Sequence, residues 1–179
     1  MSRLPRILVI DDEYGRASAG RNRPREDLCA RLGLRDVTGD VRVESVNDPV
    51  AEAVFCGAQR EDGGAVENDL PGALSVVRSG WGEWPRWALV LLDLHFKTGA
   101  VGPKGEPAGR PEDRDPDRYF GLTILEHIDG DPQLRHLPVV ILSAMEREQV
   151  EKRFADRGAL AFADKAKLDR DKLREMLWT

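Results

Sequence analysis

The chain has few of the residues from which disulfide frameworks, zinc sites and membrane spans are built. Its 179 residues include only two cysteines, Cys29 and Cys56, and three histidines. The cysteines fit no metal-binding spacing and no disulfide framework, so we interpret them as buried free thiols in a reducing compartment. No apolar run approaches the roughly 20 residues that a membrane-spanning helix needs. No hydrophobic leader follows the first residues either, so we expect a cytoplasmic protein without a signal peptide and without a membrane partner.

An excess of positive charge is also lacking. The formal net charge is −5, and the isoelectric point is about 5.3. This balance argues against a basic surface that binds nucleic acid directly on this chain. Hydrophobic residues make up 41% of the chain and charged residues 33%, which indicates a globular protein with a heavily charged surface. The length predicts a single domain spanning residues 1–179, long enough to bury one sizeable core.

Apolar stretches of strand length alternate with stretches of helical spacing along the chain. The predicted strands lie at residues 7–10, 41–46, 87–92, 137–142 and 159–163. The predicted helices lie at residues 25–34, 48 to about 55, 70–77, 120–128, 146–157 and 168–177. Such alternation is typical of an α/β protein in which helices cover both faces of a doubly wound parallel sheet.

Two enlarged segments interrupt this alternation before and after the third predicted strand. The first covers about residues 56–84, within which the polar, glycine-rich residues 61–68 predict a surface loop. The second covers residues 97–118, which are rich in Gly, Pro, Arg and Asp and predict a long or partly disordered loop. Trp81, Trp84 and Trp87 lie close to the first segment. We interpret them as packing that segment onto the sheet, with a partner-binding patch as the alternative.

Polar residues follow four of the predicted strands directly. They are Asp11 and Asp12, Asp93, Ser143 and Lys165. Each alone is compatible with a helix cap or a solvated side chain, but ligands of open α/β sheets bind at the carboxyl ends of the strands. Clustered carboxylates repel one another unless a cation neutralises them, and hard oxygen ligands suit Mg²⁺. One carboxylate can then attack phosphorus, while the metal, the lysine and the hydroxyl hold the phosphoryl oxygens.

The strands that lead to these polar residues, together with one helical segment, resemble parts of the receiver domain of two-component response regulators. The resemblance rests on five segments in the same order: RILVIDDE at 6–13, LVLLDL at 89–94, FGLTILEHI at 120–128, LPVVILSA at 137–144 and GALAFADK at 158–165. It implies a flavodoxin-like sheet of five parallel strands in the order 2-1-3-4-5, with insertions on either side of the third strand.

The resemblance also implies roles for individual residues at the phosphorylation site. Asp93 corresponds to the phosphate-accepting aspartate. Asp11, Asp12 and Asp93 would bind Mg²⁺, with Asp12 as a direct ligand and Asp11 acting partly through water. The backbone carbonyl of His95 would be a further metal ligand.

The remaining implied residues contact the phosphoryl group or respond to it. Ser143 and the backbone N–H of Ala144 would bind phosphoryl oxygens, and Lys165 would pair with Asp93 or with the phosphate. Phe162 would be the aromatic residue whose rotamer follows Ser143. The sequence departs from the family where Ala166 replaces the usual proline, and where about 25 residues separate the phosphate-accepting aspartate from the third-helix segment.

The function implied is a signalling switch that accepts a phosphoryl group from a histidine kinase or a phosphotransfer protein. Such a protein catalyses its own phosphorylation and dephosphorylation and has no separate substrate. Its further partners would be an output domain or a downstream protein, and a homodimer through the last strand and helices is an additional hypothesis. One alternative is a pseudo-receiver that binds partners and is not phosphorylated. Another is a haloacid dehalogenase-type enzyme, but that family's two acids lie two residues apart, whereas Asp11 and Asp12 are adjacent.

Overall fold

The computed structural model describes residues 4–14, 22–39, 46–62, 65–80, 87–97, 99–100, 119–143, 147–158 and 160–178. Six strands form the main sheet: β1 (Arg6–Ile10), β2 (Leu34–Asp36), β3 (Ala51–Cys56), β6 (Trp87–Leu92), β8 (Val139–Ile141) and β9 (Leu160–Phe162). Their order is β2-β3-β1-β6-β8-β9, and every pairing is parallel. The predicted class, a doubly wound parallel sheet of the flavodoxin type, is confirmed.

Helices on both faces of this sheet bury two apolar layers. They are α1 (Arg23–Leu32), α2 (Leu70–Ser79), α3 (Phe120–Gly130), α4 (Arg147–Arg153) and α5 (Arg170–Trp178). The strands β1 and β6 are buried almost throughout, because alternate residues enter opposite layers. Leu8 and Ile10 pack with α2 and α3, whereas Ile7 and Val9 pack with α1 and α5. A central strand apolar on both faces explains why these runs are continuously hydrophobic.

The second strand of the sheet is not where the sequence placed it. Residues 48–55 were predicted as a helix, but residues 51–56 form β3, whose residues pair in register with β1. Ala51, Ala53 and Phe55 are buried there, so packing overrides the helical preference of this alanine-rich segment. Asp48 has a φ of 51°, which is incompatible with the start of a helix. The predicted strand at 41–46 lies almost wholly outside the described residues.

The sheet also has one strand more than the five expected. The additional strand β2 pairs with β3 at the edge of the sheet. It is held by Arg25 of α1, whose guanidinium is fully buried and lies 2.6 Å from a carboxylate oxygen of Asp36. The guanidinium also stacks over the ring of Phe55, with 4.4 Å to the ring centroid. Three residues after a helix-ending glycine carry no strand signal of their own, so the long-range ion pair accounts for the strand.

The two enlarged segments meet in a second, small sheet. Strands β4 (Gln59–Asp62), β5 (Ala65–Asn68) and β7 (Gly99–Ala100) form an antiparallel sheet in the order β4-β5-β7. The prediction of a surface loop at 61–68 is therefore wrong for the described residues, because residues 61–62 and 65–68 belong to two paired antiparallel strands. We call this sheet the accessory sheet. Since β4 and β5 precede β6 and β7 follows it, the accessory sheet joins segments on either side of the strand that leads to Asp93.

Over the described ranges, no helix combines the length and the apolar character required to cross a membrane.

Candidate phosphorylation site

The acidic residues follow strand ends whose backbone is fixed by the sheet ladder. Beyond the ends of β1 and β6, the N–H of Asp11 donates to the carbonyl of Cys56 at 3.0 Å, and the N–H of Asp93 donates to the carbonyl of Ile10 at 3.0 Å. The ladder thus continues for one residue past each strand. As a result, Asp11 and Asp93 leave neighbouring strands at the same level of the sheet, which brings side chains 82 positions apart in the sequence together.

Three carboxylates form a compact and largely buried cluster at this edge. One oxygen each of Asp11, Asp12 and Asp93 lies within 4.8 Å of the other two. A backbone N–H fixes one oxygen of each group. Glu13 donates to Asp11 Oδ1 at 2.9 Å, Leu94 to Asp93 Oδ1 at 2.9 Å, and Lys97 to Asp12 Oδ2 at 3.0 Å. The second oxygen of each carboxylate takes no part in these three hydrogen bonds.

Burial makes the charged forms of these acids costly. It raises the pKa of Asp11 to about 7, and the nearby Asp93 adds to the rise while Lys165 opposes it. Burial also raises the pKa of Asp12, partly offset by the Lys97 N–H. The pKa of Asp93 is likewise raised by burial, against the lowering effect of Lys165. The three carboxyl groups are thus close together and largely removed from water, so the ionised form of each is disfavoured unless a positive charge lies nearby.

Lys165 supplies a cation to the cluster from the loop after β9. Its Nζ lies 2.7 Å from Asp11 Oδ2 and 3.8 Å from Asp93 Oδ2. Burial by itself lowers the pKa of Lys165, but the charges of Asp11 and Asp93 outweigh it and raise the pKa. The ammonium also lies over the ring of Tyr14, with 4.9 Å to the centroid. Lys165 is thus held charged beside the carboxylate that the sequence singled out as nucleophile.

The turn that carries Lys165 is built without the proline usual in the resembled family. The carboxylate of Asp164 accepts from the N–H of Ala166 at 2.9 Å, and the backbone N–H groups of Lys167 and Leu168 donate to the Asp164 carbonyl, both at 2.9 Å. Arg31 of α1 donates to the Lys165 carbonyl at 2.9 Å. Hydrogen bonds to Asp164 thus hold this turn, in which Ala166 stands where the resembled family usually has proline.

Glycine allows the helix α3 to start directly against the backbone of the site. The N–H of Gly121 donates to the Leu94 carbonyl at 3.2 Å. A β-carbon at position 121 would lie 2.1 Å from the Asp93 carbonyl oxygen and 2.7 Å from the Leu94 Cα. No side chain fits in that space, so the approach of α3 to the end of β6 depends on this glycine.

Two further predicted site residues, Ser143 and Ala144, follow strand β8 in the sequence. Ser143 follows β8, whose neighbour β6 ends at Leu92, and the Leu142 N–H donates to the Leu92 carbonyl at 2.8 Å. Ser143 therefore leaves the sheet beside Asp93. Ala144, predicted to bind a phosphoryl oxygen, lies outside the described residues. For these two residues, the predicted roles stay predictions.

Two aromatic contacts concern His95 and Phe162. The ring of His95 packs against Tyr119, with centroids 4.2 Å apart, and metal binding through its carbonyl stays a prediction. Phe162 is half-buried on β9, and the guanidinium of Arg147 lies 5.7 Å from its ring centroid. Of the predicted tryptophan cluster, Trp81 and Trp84 lie outside the described residues. Trp87 is buried, and its Nε1 donates to the Val77 carbonyl at 2.9 Å.

Sequence reasoning missed two charged residues at the site. Glu13 contacts Lys165 Nζ at 3.0 Å and Lys97 Nζ at 3.3 Å. Burial alone would raise the pKa of Glu13, but the two ammonium groups lower it. The sequence signal for Glu13 was its place beside the acidic pair. Lys97 had none, because it begins an insertion whose path the sequence does not reveal.

The donor set fits a divalent cation. Asp11, Asp12, Glu13 and Asp93 provide four carboxylates, against which Lys165 and Lys97 provide two ammonium groups, leaving two formal negative charges. All three clustered acids offer hard oxygen ligands and no sulfur or imidazole, as Mg²⁺ prefers. The arrangement can therefore hold such an ion beside a carboxylate nucleophile and a lysine.

Comparisons with known proteins give distant structural likeness. No protein-family model and no curated protein matches the chain. A solved bacteriophytochrome response regulator, RtBRR, is 17% identical with a TM-score of 0.47, over 98% of this chain and 79% of its own. A sensor protein from Polaromonas sp. JS666 is 17% identical with a TM-score of 0.49, over 97% of this chain and 92% of its own.

A third solved structure is the phosphorylated cyanobacterial phytochrome response regulator RcpA. It is 17% identical with a TM-score of 0.47, over 97% of this chain and 89% of its own. The structures that the chain is similar to thus include response regulators.

Proposed function

We propose that the chain is a phosphorylation-dependent signalling switch that accepts a phosphoryl group on Asp93. The observation that carries this proposal is the cluster of Asp11, Asp12 and Asp93 within 4.8 Å, with Lys165 Nζ 3.8 Å from Asp93 Oδ2. The phosphoryl donor is a phosphohistidine of a histidine kinase or of a phosphotransfer protein. The chain acts on itself and turns over no separate substrate.

Asp93 is the nucleophile of the proposed reaction. Its Oδ1 accepts the Leu94 N–H, which leaves Oδ2, the oxygen facing Lys165, to attack. Oδ2 forms a bond to phosphorus while the bond from phosphorus to the histidine nitrogen breaks, and the imidazole takes up a proton. The product is an acyl phosphate on Asp93 and a free histidine on the donor.

Asp11, Asp12 and Asp93 would hold Mg²⁺, with the His95 carbonyl as a further ligand. When bound, this ion neutralises charge that develops on the phosphoryl oxygens. The fixed backbone donors to Asp11 Oδ1 and Asp12 Oδ2 hold both carboxylates in place before binding, so little rearrangement is needed.

Lys165, Ser143 and the Ala144 N–H would hold the other phosphoryl oxygens. Lys165 needs only a small movement, because its ammonium already lies between Asp11 and Asp93. Ser143 leaves β8 beside Asp93 and would move towards the phosphate. Phe162, packed under Arg147 at the start of α4, would follow that movement, so the signal would reach α4, β9 and α5.

The test is the reaction of the purified protein with acetyl phosphate in the presence of Mg²⁺, followed by intact-mass spectrometry. We expect the mass to rise by one phosphoryl group, and the rise to require Mg²⁺. The Asp93→Asn variant is the matched control, since it keeps the size of the side chain and removes the nucleophile. An unmodified wild-type protein that also fails to bind beryllofluoride would refute phosphorylation and favour the pseudo-receiver that only docks partners.

A further inference from the structure

Glu13 occupies a central position in the site, yet the proposed phosphoryl transfer does not use it. Its two carboxylate oxygens contact different lysines, Oε2 with Lys165 Nζ at 3.0 Å and Oε1 with Lys97 Nζ at 3.3 Å. Its backbone N–H also orients Asp11. Glu13 is therefore linked to one residue beside the nucleophile and to one residue at the start of the second enlarged segment.

Glu13 is one of three carboxylates that surround the Lys165 ammonium at different distances. The ammonium lies 2.7 Å from Asp11 and 3.0 Å from Glu13, but 3.8 Å from Asp93. Lys165 thus makes its two shorter contacts with Asp11 and Glu13, and its longest contact with the nucleophile. If the Glu13 charge were absent, the attraction of Asp93 for the ammonium would meet less opposition, and Lys165 would close on Asp93.

Lys97 connects this arrangement to the accessory sheet. Its N–H is bound to Asp12, its ammonium is bound to Glu13, and its carbonyl accepts a hydrogen bond from the Gln59 side chain of β4. Two residues later, the chain pairs with β5 as β7. Lys97 therefore contacts Asp12, Glu13 and strand β4 of the accessory sheet.

We propose that Glu13 is a positioning residue that holds Lys165 away from Asp93, and that Lys97 sets the strength of this hold by sharing the Glu13 carboxylate. This inference rests on the proposed function, because a lysine bound tightly to Asp93 would occupy the nucleophile and compete with Mg²⁺. Glu13 keeps the lysine near enough to bind the phosphoryl group and far enough to leave Asp93 available.

Opposite effects on Mg²⁺ binding follow for the two residues. In Glu13→Gln, the side-chain size is kept and the charge is lost, so Lys165 moves onto Asp93 and Mg²⁺ binds about 3- to 10-fold more weakly. In Lys97→Met, Glu13 is no longer shared and holds Lys165 more firmly, so Mg²⁺ binds about 2- to 5-fold more tightly.

A double-mutant cycle separates positioning from simple charge effects. Mg²⁺ affinity is measured by calorimetry for the wild type, Glu13→Gln, Lys97→Met and the double variant. If Lys97 acts through Glu13, the double variant binds Mg²⁺ like Glu13→Gln alone, within about twofold. If the two fold-changes simply multiply, both charges act independently and the proposal is overturned. Lys172→Met, which removes an exposed lysine of α5, is the matched control and leaves the affinity unchanged within about twofold.

The position of Lys165 is read directly from the ¹⁵N and ¹H signals of its ammonium group in the metal-free protein. These signals should shift in Glu13→Gln and shift in the opposite sense in Lys97→Met. Identical signals in all variants would contradict a positioning role even if Mg²⁺ affinity changed. Both readouts precede phosphoryl transfer, so a wild type that binds Mg²⁺ normally but neither reacts with acetyl phosphate nor binds beryllofluoride refutes the proposed function and leaves this inference to its own test.

Discussion

If Asp11 binds Mg²⁺ as proposed, its raised pKa makes the affinity for Mg²⁺ depend on pH near neutrality. Mg²⁺ binds the ionised carboxylate, so protons and the metal compete for the same group. With a pKa of about 7, about one tenth of Asp11 is ionised at pH 6 and about nine tenths at pH 8. We therefore expect the affinity for Mg²⁺ to be about tenfold lower at pH 6 than at pH 8. An aspartate with its ordinary pKa would give no change over this range.

Calorimetric titration with Mg²⁺ at a series of pH values measures this dependence and also the protons released on binding. About one proton per ion should be released at pH 6, about half a proton at pH 7 and about one tenth of a proton at pH 8. Asp11→Asn serves as the comparison, because it removes the titrating group and should flatten the profile while weakening binding overall. A wild-type affinity that stays constant between pH 6 and pH 8 would refute the assignment of the raised pKa to a metal ligand.

The raised pKa of Asp11 also predicts how the free energy of unfolding of the metal-free protein depends on pH. The folded-state pKa of Asp11 lies above the ordinary aspartate value of 3.8, so the folded protein binds more protons than the unfolded chain between the two values. The contribution of Asp11 to the free energy of unfolding therefore falls as the pH rises from about 4 to about 7. Saturating Mg²⁺ should reverse part of this loss. With a tenfold difference in affinity, it should stabilise the protein by about 1.4 kcal/mol more at pH 8 than at pH 6.

Three further predictions concern the start of helix α3, the edge strand β2 and the two cysteines. Gly121→Ala should destabilise the protein by about 3 kcal/mol in urea unfolding, since the new methyl group meets the backbone of the Asp93 loop. Gly130→Ala in the same helix meets no atom within 4 Å and should be neutral or stabilising; equal effects of the two would contradict the close approach. Asp36→Asn should cost about 3 to 5 kcal/mol by leaving the buried charge of Arg25 unpaired, and a loss under about 1 kcal/mol would show that β2 is not held this way. Both cysteines are buried, and burial raises the pKa of Cys29 to about 12, so neither thiol should react with a disulfide reagent until the protein unfolds.

The parts of the fold that the sequence revealed are those whose local pattern and tertiary role agree. The run at Trp87–Leu92 is apolar on both faces because it lies in the middle of the sheet, and its predicted bounds match β6. The run at the start of the chain shows the same agreement in β1. The polar residues at the ends of these strands could be expected to meet, because the parallel order alone places them at one edge.

The missed parts depend on partners far away in the sequence. Residues 51–56 become a strand because they lie between β1 and β2, although Ala51, Glu52 and Ala53 favour a helix locally. The accessory sheet forms through pairing between Val66 and Gly99, which lie on opposite sides of β6. Lys97 lies two residues before Gly99, so its contact with Asp12 likewise depends on the path of the chain after β6. No local pattern encodes such contacts, so the contacts of Lys97 at the site could not be predicted from the sequence.

The most direct test of the central claim is the identification of the residue that carries the phosphoryl group. The protein is treated with acetyl phosphate and Mg²⁺, the acyl phosphate is reduced with borohydride, and the modified residue is located by peptide mass spectrometry. We expect the reduced product, homoserine, at position 93 and at no other aspartate of the cluster. Modification of Asp11 or Asp12 instead, or recovery of unmodified Asp93 from a protein that binds Mg²⁺, would contradict the assignment of Asp93 as the phosphate-accepting residue.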